Sequence, residues 1–383
     1  LRIAQLAPVW ERVPPEKYGG TEVVVSLLTE ELIRRGHEVT LFATGDSITD
    51  ANLVSCYDTS PPRSMLAQGN PIPDLIHTGH ALRFAEQFDI IHDHTGYIGV
   101  AMGSLVNKPV LNTLHGIFAE DNLPFYEKYK DAIFYNSISL EQRRSGPDLK
   151  YVGNVYNAID VDSYQFSQDK EDYFVYISRI CQDKGTDIAI DVSLRANVKL
   201  IIAGKVNPGK DTLFYEEKIV PRIDGKQIIY KGEVPEDEKR SLLRDAKGFI
   251  FPLQWAEPFG LVMVEAMASG TPVIAFPYGS VPEIVKNGQT GFVVDNIEQM
   301  VEAVNSIERI DPSDCRRWVL EKFTVSRMVD EYEEIYKRII ELKADEKVAK
   351  IDISKPHALH PLEIPDSSPG TETISVDTGY IRL

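Results

Sequence analysis

Residues 255–274 read Trp255-Ala256-Glu257-Pro258-Phe259-Gly260-Leu261-Val262-Met263-Val264-Glu265-Ala266-Met267-Ala268-Ser269-Gly270-Thr271-Pro272-Val273-Ile274. Just before them, Gly248-Phe249-Ile250-Phe251-Pro252 is the short apolar run of a buried strand. After Phe259-Gly260, residues 261–269 are helix formers that stop at Gly270, a C-terminal cap, and residues 271–276 begin another strand. The order is strand, loop, helix, strand. Gly260 then stands at a helix start, where a ligand can approach the backbone closely and unpaired N–H groups favour an anion. Two carboxylates bracket the turn, Glu257 on the loop and Glu265 on the second helical turn. A loop carboxylate can accept from sugar hydroxyls and the later one from a ribose, with phosphates between them over the helix start. Two glutamates at this spacing also read, in isolation, as a surface loop residue and an N-terminal helix charge.

Upstream, residues 173–178 form a strand that delivers Arg179, the loop 180–185 carries Lys184, and residues 186–194 form a helix. An arginine and a lysine at a strand-to-helix loop make a diphosphate clamp, since both donate to phosphate oxygens; the plain alternative is a surface basic pair. Strands at 199–203 and 227–230 run toward Gly204 and Gly232, whose backbone groups could flank a nucleobase. Asp160-Val161-Asp162 has the form of a metal–diphosphate motif, but its place in a polar linker reads as a turn with solvated carboxylates.

The first half shows the same alternation. A strand at 3–7 leads through a proline-bearing loop to Gly19-Gly20, a helix at 21–35, Gly36 and a strand at 37–43: a βαβ opening with a glycine pair at its first turn. No G-x-G-x-x-G occurs there, so the dinucleotide fingerprint is absent. Later strands end at Asp93-His94, at His115-Gly116 and at Asn136-Ser137. In an open α/β sheet ligands bind outside the carboxyl ends of the strands. His92, His94 and His115 therefore fall where chemistry would be done, with His115 left accessible by Gly116. His92, Asp93 and His94 have the residue types of metal ligands, but on the expectation that alternate strand residues face opposite sides no metal site is expected there.

At 383 residues two domains are the natural expectation, with a boundary near 165. Three scattered cysteines, Cys56, Cys181 and Cys315, argue against a disulfide framework or cysteine-based zinc site and suit a reducing cytoplasm. The start of the chain lacks a signal-peptide pattern, and a cytoplasmic location is expected. A net charge of −17 argues against a nucleic-acid partner and disfavours whole-surface attraction to anionic membrane, leaving membrane contact peripheral at most. An anionic substrate must then be held by local cations and backbone amides.

Arg179…Lys184 with Glu257-Pro258-Phe259-Gly260-Leu261…Glu265 resembles the retaining glycosyltransferases of family 4. The resemblance runs over roughly residues 2–345. It includes Tyr18-Gly19-Gly20-Thr21-Glu22, His115 and Val155-Tyr156-Asn157-Ala158-Ile159-Asp160, where Tyr156 replaces the family's usual proline.

The resemblance implies an α/β protein of the GT-B fold, two Rossmann-like domains with parallel sheets facing a central cleft. The domains would be 1–165 on the acceptor side and 166–325 for the nucleotide-sugar. A crossover helix at 326–345 would pack back on the first domain, ahead of a tail at 346–383 with no counterpart. It further implies His115, Arg179, Lys184 and Glu257 as catalytic residues. Gly20, Gly204, Val234, Phe259, Gly260, Leu261, Val262 and Glu265 would bind the donor, and Tyr18, Glu22, His94 and Asn157 would lie on the acceptor side. The implied reaction moves a hexose from a nucleotide-diphosphate sugar, UDP-linked first and GDP-mannose next, to a saccharide or small-molecule hydroxyl, with no metal and no cofactor. A nucleotide-sugar epimerase of the same fold and a non-catalytic sugar-binding protein are the competing classes.

Overall fold

The computed structural model describes residues 1–16 and 19–346, so Tyr18 and all but the first residue of the 346–383 tail lie outside it. The first sheet contains β1 (Arg2–Leu6), β2 (Glu38–Phe42), β3 (Asn52–Val54), β4 (Ile90–Asp93), β5 (Val110–Leu114), β6 (Phe134–Ser137) and β7 (Tyr151–Asn154). The second contains β8 (Glu171–Ile177), β9 (Leu200–Ala203), β10 (Ile228–Tyr230), β11 (Ala246–Phe251), β12 (Val273–Ala275) and β13 (Gly291–Val293). The orders are β3-β2-β1-β4-β5-β6-β7 and β10-β9-β8-β11-β12-β13. Every pairing is parallel.

Strands covered by helices on both faces read as near-continuous apolar runs, as Leu200–Ala203 and Val273–Ala275 do, while buried polar residues such as Gln5, His92 and Asn112 interrupt the first sheet. In the second sheet Val175, Phe249 and Phe251 pack toward Met263 and Met267 of the helix Leu261–Ala268. Phe174, Tyr176 and Ile250 pack the other way, toward Ile188 and Val192 of the helix Thr186–Ala196. The alternation is the strand period of two. Each sheet reverses its strand order once, beside β1 and β4 in the first and beside β8 and β11 in the second. Such a switch point opens a crevice at the carboxyl ends of the strands.

The helix Val325–Glu346 follows the second sheet in sequence yet packs on the first domain. Its buried Met328, Tyr332, Ile335, Tyr336 and Ile339 recur at helical spacing and join Ile3, Val24, Leu28 and Phe134 in one cluster. At its rim Arg35 reaches Asp330 at 2.6 Å and Glu333 at 2.8 Å. A second tie crosses between the domains. Glu283 accepts the backbone N–H of Leu140 at 2.8 Å and of Glu141 at 2.7 Å, at the start of the helix Leu140–Arg144, and the Tyr156 hydroxyl at 2.9 Å. Tyr156, where the family pattern has proline, thus supplies a linker hydrogen bond that proline cannot make. Among the described residues no helix is long and apolar enough to cross a membrane.

The docking of the terminal helix rests on the missing side chain of Gly153 in β7, where a Cβ would fall 2.2 Å from Ile335 Cδ1. Gly153→Ala should lower stability by about 1–3 kcal/mol through overpacking, read as a lower urea midpoint. Adding Ile335→Val, which removes Cδ1, should restore part of the loss; no restoration would mean the helix is seated elsewhere.

Candidate active site

The two switch points share one cleft of about 990 Å³, lined from both domains. The first domain contributes the helix start at Gly20, with Glu22, and the strand ends that carry His115 and Asn157. The second contributes Arg179 and Lys184 after β8, Gly204 after β9, Val234 after β10, and the loop after β11 that carries Glu257, Phe259 and Gly260. Leu261, Val262 and Glu265 line it from the following helix.

Lys184 and Glu257 meet directly. The lysine ammonium donates to Glu257 Oε2 and lies 4.3 Å from the centre of the Trp255 ring, whose Nε1–H donates to the same oxygen at 3.0 Å. Both side chains are largely buried, at 14% and 13% exposure. With both donors on Oε2, Oε1 is left to accept from a ligand. The loops holding the pair are tied by Gln254 N–H donating to Asp183 O at 2.8 Å, and by Ser280 N–H donating to Glu257 O at 2.9 Å. At Gly279 (φ 58°) a Cβ would lie 2.3 Å from the Glu257 backbone, so only glycine lets this turn close over the loop.

Gly260 has φ 79°, the left-handed conformation that turns the chain into the helix Leu261–Ala268. The N–H groups of Leu261 and Val262 therefore begin a helix without intrahelical acceptors. The start of the helix Gly20–Arg34 faces them, since a Cβ on Gly20 would stand 3.5 Å from Leu261 Cδ1. Two positive helix ends thus point into one space. Arg179 stands beside them, its Nε 3.6 Å from the buried Asp211. Deeper in, Glu265 is 8% exposed and meets the Lys239 ammonium at 3.1 Å. Burial pulls the Lys239 pKa down, but the charges of Glu265 and Glu236 outweigh it and leave the pKa raised.

On the opposite wall, Asn157 is 5% exposed and its Oδ1 has no hydrogen-bond partner among the described residues, an orphaned acceptor beside the cleft. His115 Nε2 lies 2.9 Å from His94 Nδ1, and burial pushes the His115 imidazole down to about 4, so the ring is neutral near pH 7. Two expectations need correction. His94 is 4% exposed and stands behind His115, not in the cleft lining, because His115 from the next strand covers it. His92 and His94 share a face, with ring centroids 4.1 Å apart, because successive strand residues alternate faces and alternate ones do not. Among the described residues no group of three or more histidine, cysteine, aspartate or glutamate side chains is placed to hold a metal ion.

Sequence reading missed Trp255, Asp211, Lys239 and Glu283. Trp255 stood two residues from Glu257 with an indole N–H to give. Lys239 reads as one half of an ordinary helical pair with Glu236, and nothing local connects it to Glu265.

Two Rossmann-like sheets whose switch points open on one cleft make the GT-B arrangement. Two family models match, "Glycosyl transferases group 1" over residues 162–320 and "Glycosyltransferase Family 4" over residues 18–146, together well over half of the chain. The chain belongs to the family 4 glycosyltransferases, enzymes that use nucleotide-sugar donors. It is 24% identical to an uncharacterised glycosyltransferase of Methanocaldococcus jannaschii, over 87% of this chain and 97% of that protein. It is 25% identical to the alpha-maltose-1-phosphate synthase of Mycolicibacterium smegmatis, over 88% and 99%. The crystal structure of Anabaena HepE with UDP and glucose superposes with a TM-score of 0.66 at 18% identity, covering 88% of this chain and 99% of that one.

Glu22, 7% exposed at the cleft wall, has its carboxyl raised by burial to about 6. A carboxyl that binds its proton more tightly folded than unfolded adds stability below the unfolded value of 4.5, and this is lost as pH rises through about 6. Glu22→Gln should therefore be more stable than the parent by about 2 kcal/mol at pH 7.5, with the difference shrinking toward pH 4.5. Paired urea melts at several pH values test it; a pH-independent difference would mean Glu22 is not desolvated.

Proposed function

We propose that the chain is a retaining hexosyltransferase that works without a divalent ion and takes a UDP-hexose, with GDP-mannose as second donor. One observation carries the reading: the cleft sets cations and helix starts side by side with open acceptors. Cations and two helix starts (Arg179, Lys184, and the N–H groups at Gly20 and Leu261) gather where a diphosphate would lie. Open acceptors (Glu257 Oε1 and the orphaned Asn157 Oδ1) stand where sugar hydroxyls would need them. That HepE was crystallised with UDP and glucose supports the choice of base and sugar.

The chemistry follows from the charges. Breaking the bond between the anomeric carbon and the phosphate oxygen leaves a sugar cation and a diphosphate anion. The anion is the larger demand, and preorganised donors in a partly dry cleft can meet it. Glu257, held by Lys184 and Trp255, orients the hexose while Arg179, Lys184 and the helix ends hold the leaving group. Glu265, with Lys239 beside it, takes the ribose hydroxyls, and Gly204 and Val234 flank the base. The acceptor hydroxyl attacks from the face the diphosphate is leaving, its oxygen bonds to the anomeric carbon, and its proton passes to the departing phosphate oxygen. The anomeric configuration is kept.

Lys184→Met, which keeps an apolar stem over Trp255, and Glu257→Gln should each fold and lose on the order of 10²-fold or more in turnover. Full activity in both would misplace the cleft. A thermal-shift panel of UDP-, GDP- and ADP-sugars should show the largest rise with a UDP-hexose, unchanged by chelator. A rise that vanishes with chelator would overturn the metal-free reading, and an inverted anomeric signal in the NMR spectrum of the product would overturn retention.

A further inference from the structure

Behind His115 runs a line of buried side chains that transfer of a sugar does not by itself require. His115 Nε2 lies 2.9 Å from His94 Nδ1, and His94 Nε2 lies 3.0 Å from Gln5 Oε1. Gln5 Nε2 donates to the Tyr336 hydroxyl at 3.2 Å, and that hydroxyl is 2.7 Å from His92 Nδ1. His92 Nε2 is 2.7 Å from Thr113 Oγ1, which is 3.0 Å from the Tyr332 hydroxyl. Gln5, His92, Tyr332 and Tyr336 are fully buried. The line starts at the cleft, passes through β1 and β4 and ends on the terminal helix.

Its protons can be placed one by one. Gln5 donates to Tyr336 through Nε2, so its Oε1 can only accept, and the proton between Gln5 and His94 sits on His94 Nε2. Burial holds His94 well below 6.5, so the ring is neutral and carries a single N–H. His94 Nδ1 is then bare, and the proton between the two histidines sits on His115 Nε2. On the far side the Tyr336 oxygen accepts from Gln5 and can give its own O–H to His92 Nδ1, in which case His92 Nε2 gives its proton to Thr113. His115, neutral as well, is left with an unprotonated Nδ1 on the ring edge away from His94. That nitrogen makes no hydrogen bond among the described residues, and the ring lines the cleft.

We propose that Gln5, with Tyr336 behind it, is a positioning residue that locks His115 in the Nε2–H form and presents its bare Nδ1 as the acceptor for one hydroxyl of the bound hexose. The proposal rests on the hexosyltransferase reading for the ligand, but the wiring stands without it. It makes His115 a reader of O–H: a sugar with hydrogen or fluorine at that position offers nothing to Nδ1. It also gives the terminal helix a reach into the reaction, through a tyrosine that does not line the cleft. Without the Tyr336 oxygen, the Gln5 amide is free to turn over and donate to His94 Nε2. That moves the His94 proton to Nδ1 and forces His115 to the opposite form.

The test is 15N NMR of histidine-labelled protein with no ligand. The parent should show His115, His94 and His92 all protonated on Nε2. Tyr336→Phe, which keeps the ring packing, should shift His115 toward Nδ1–H, lower kcat/KM on the order of tenfold and leave UDP binding unchanged. Gln5→Glu, whose carboxylate can only accept, should keep the parent form of His115. An Nδ1–H form in the parent, or a His115 signal indifferent to Tyr336→Phe, would overturn the wiring. A switched tautomer with transfer unaffected, or deoxyfluoro donors used as well as the parent sugar at every position, would overturn the hydroxyl role. A correct tautomer pattern with no transfer from any nucleotide sugar would remove only the reading of the reaction.

Discussion

A lysine and a glutamate pressed together at the mouth of the second sheet set the terms for the rest of the molecule. Neither Lys184 nor Glu257 is more than one-seventh exposed, so each has lost most of its hydration. A buried pair of this kind stabilises a fold little on balance, because the attraction roughly offsets the desolvation, whereas removing one partner strands the other. What the pair secures is position. The loops that carry the two residues leave neighbouring strands, β8 and β11, at the switch point, and are bonded to each other through Gln254 and Asp183. A cation and a carboxylate are thereby fixed before any ligand arrives, so binding does not have to order them.

The second constraint is that half of the cleft belongs to another domain. Parallel sheets with helices on both faces have no spare face to share, so the domains are joined by smaller devices. The terminal helix carries an apolar stripe into the first domain's core, and Glu283 takes the free amides at the start of a short helix there. Tyr156 joins this second tie while its ring rests 6.1 Å from Phe259, in the loop after β11. A hydroxyl bond, a carboxylate at a helix end and an aromatic contact are each modest, so the join can hold the walls in register while remaining easier to open than either core.

The fold was legible because parallel sheets write themselves into sequence as apolar runs ending in polar residues or glycine, and both halves of this chain do so. The loop-borne site residues were legible for a related reason. Residues 179–184 and 255–265 each sit next to their own strand, so local order carries them to the cleft. What the sequence hid was pairing over distance: Lys239 with Glu265, Glu283 with Leu140 and Tyr156, Gln5 with Tyr336. Each of these residues has a sufficient local explanation, as a helical ion pair, a surface glutamate or a strand residue. His94 shows the complementary failure. Its place at a strand end was read correctly, but depth along the crevice depends on the neighbouring strand, and His115 stands in front of it.

A chain of net charge −17 in a family that uses anionic nucleotide-sugar donors poses an electrostatic question. At physiological salt a surface charge is screened beyond about 8 Å, so carboxylates scattered over the outside act weakly on a group inside the cleft. On an anion placed in the cleft, Arg179, Lys184 and the two helix ends would act at contact distance and in a less polar medium, where the same charge counts for several times more. Net repulsion slows the approach of an anion; it does not decide whether the anion is held. The acidic surface is therefore compatible with tight holding of the donor and carries a benefit of its own, because it disfavours the nucleic acids that would compete for any phosphate clamp exposed on a basic protein. Local charge decides the ligand, and net charge limits what else can come near.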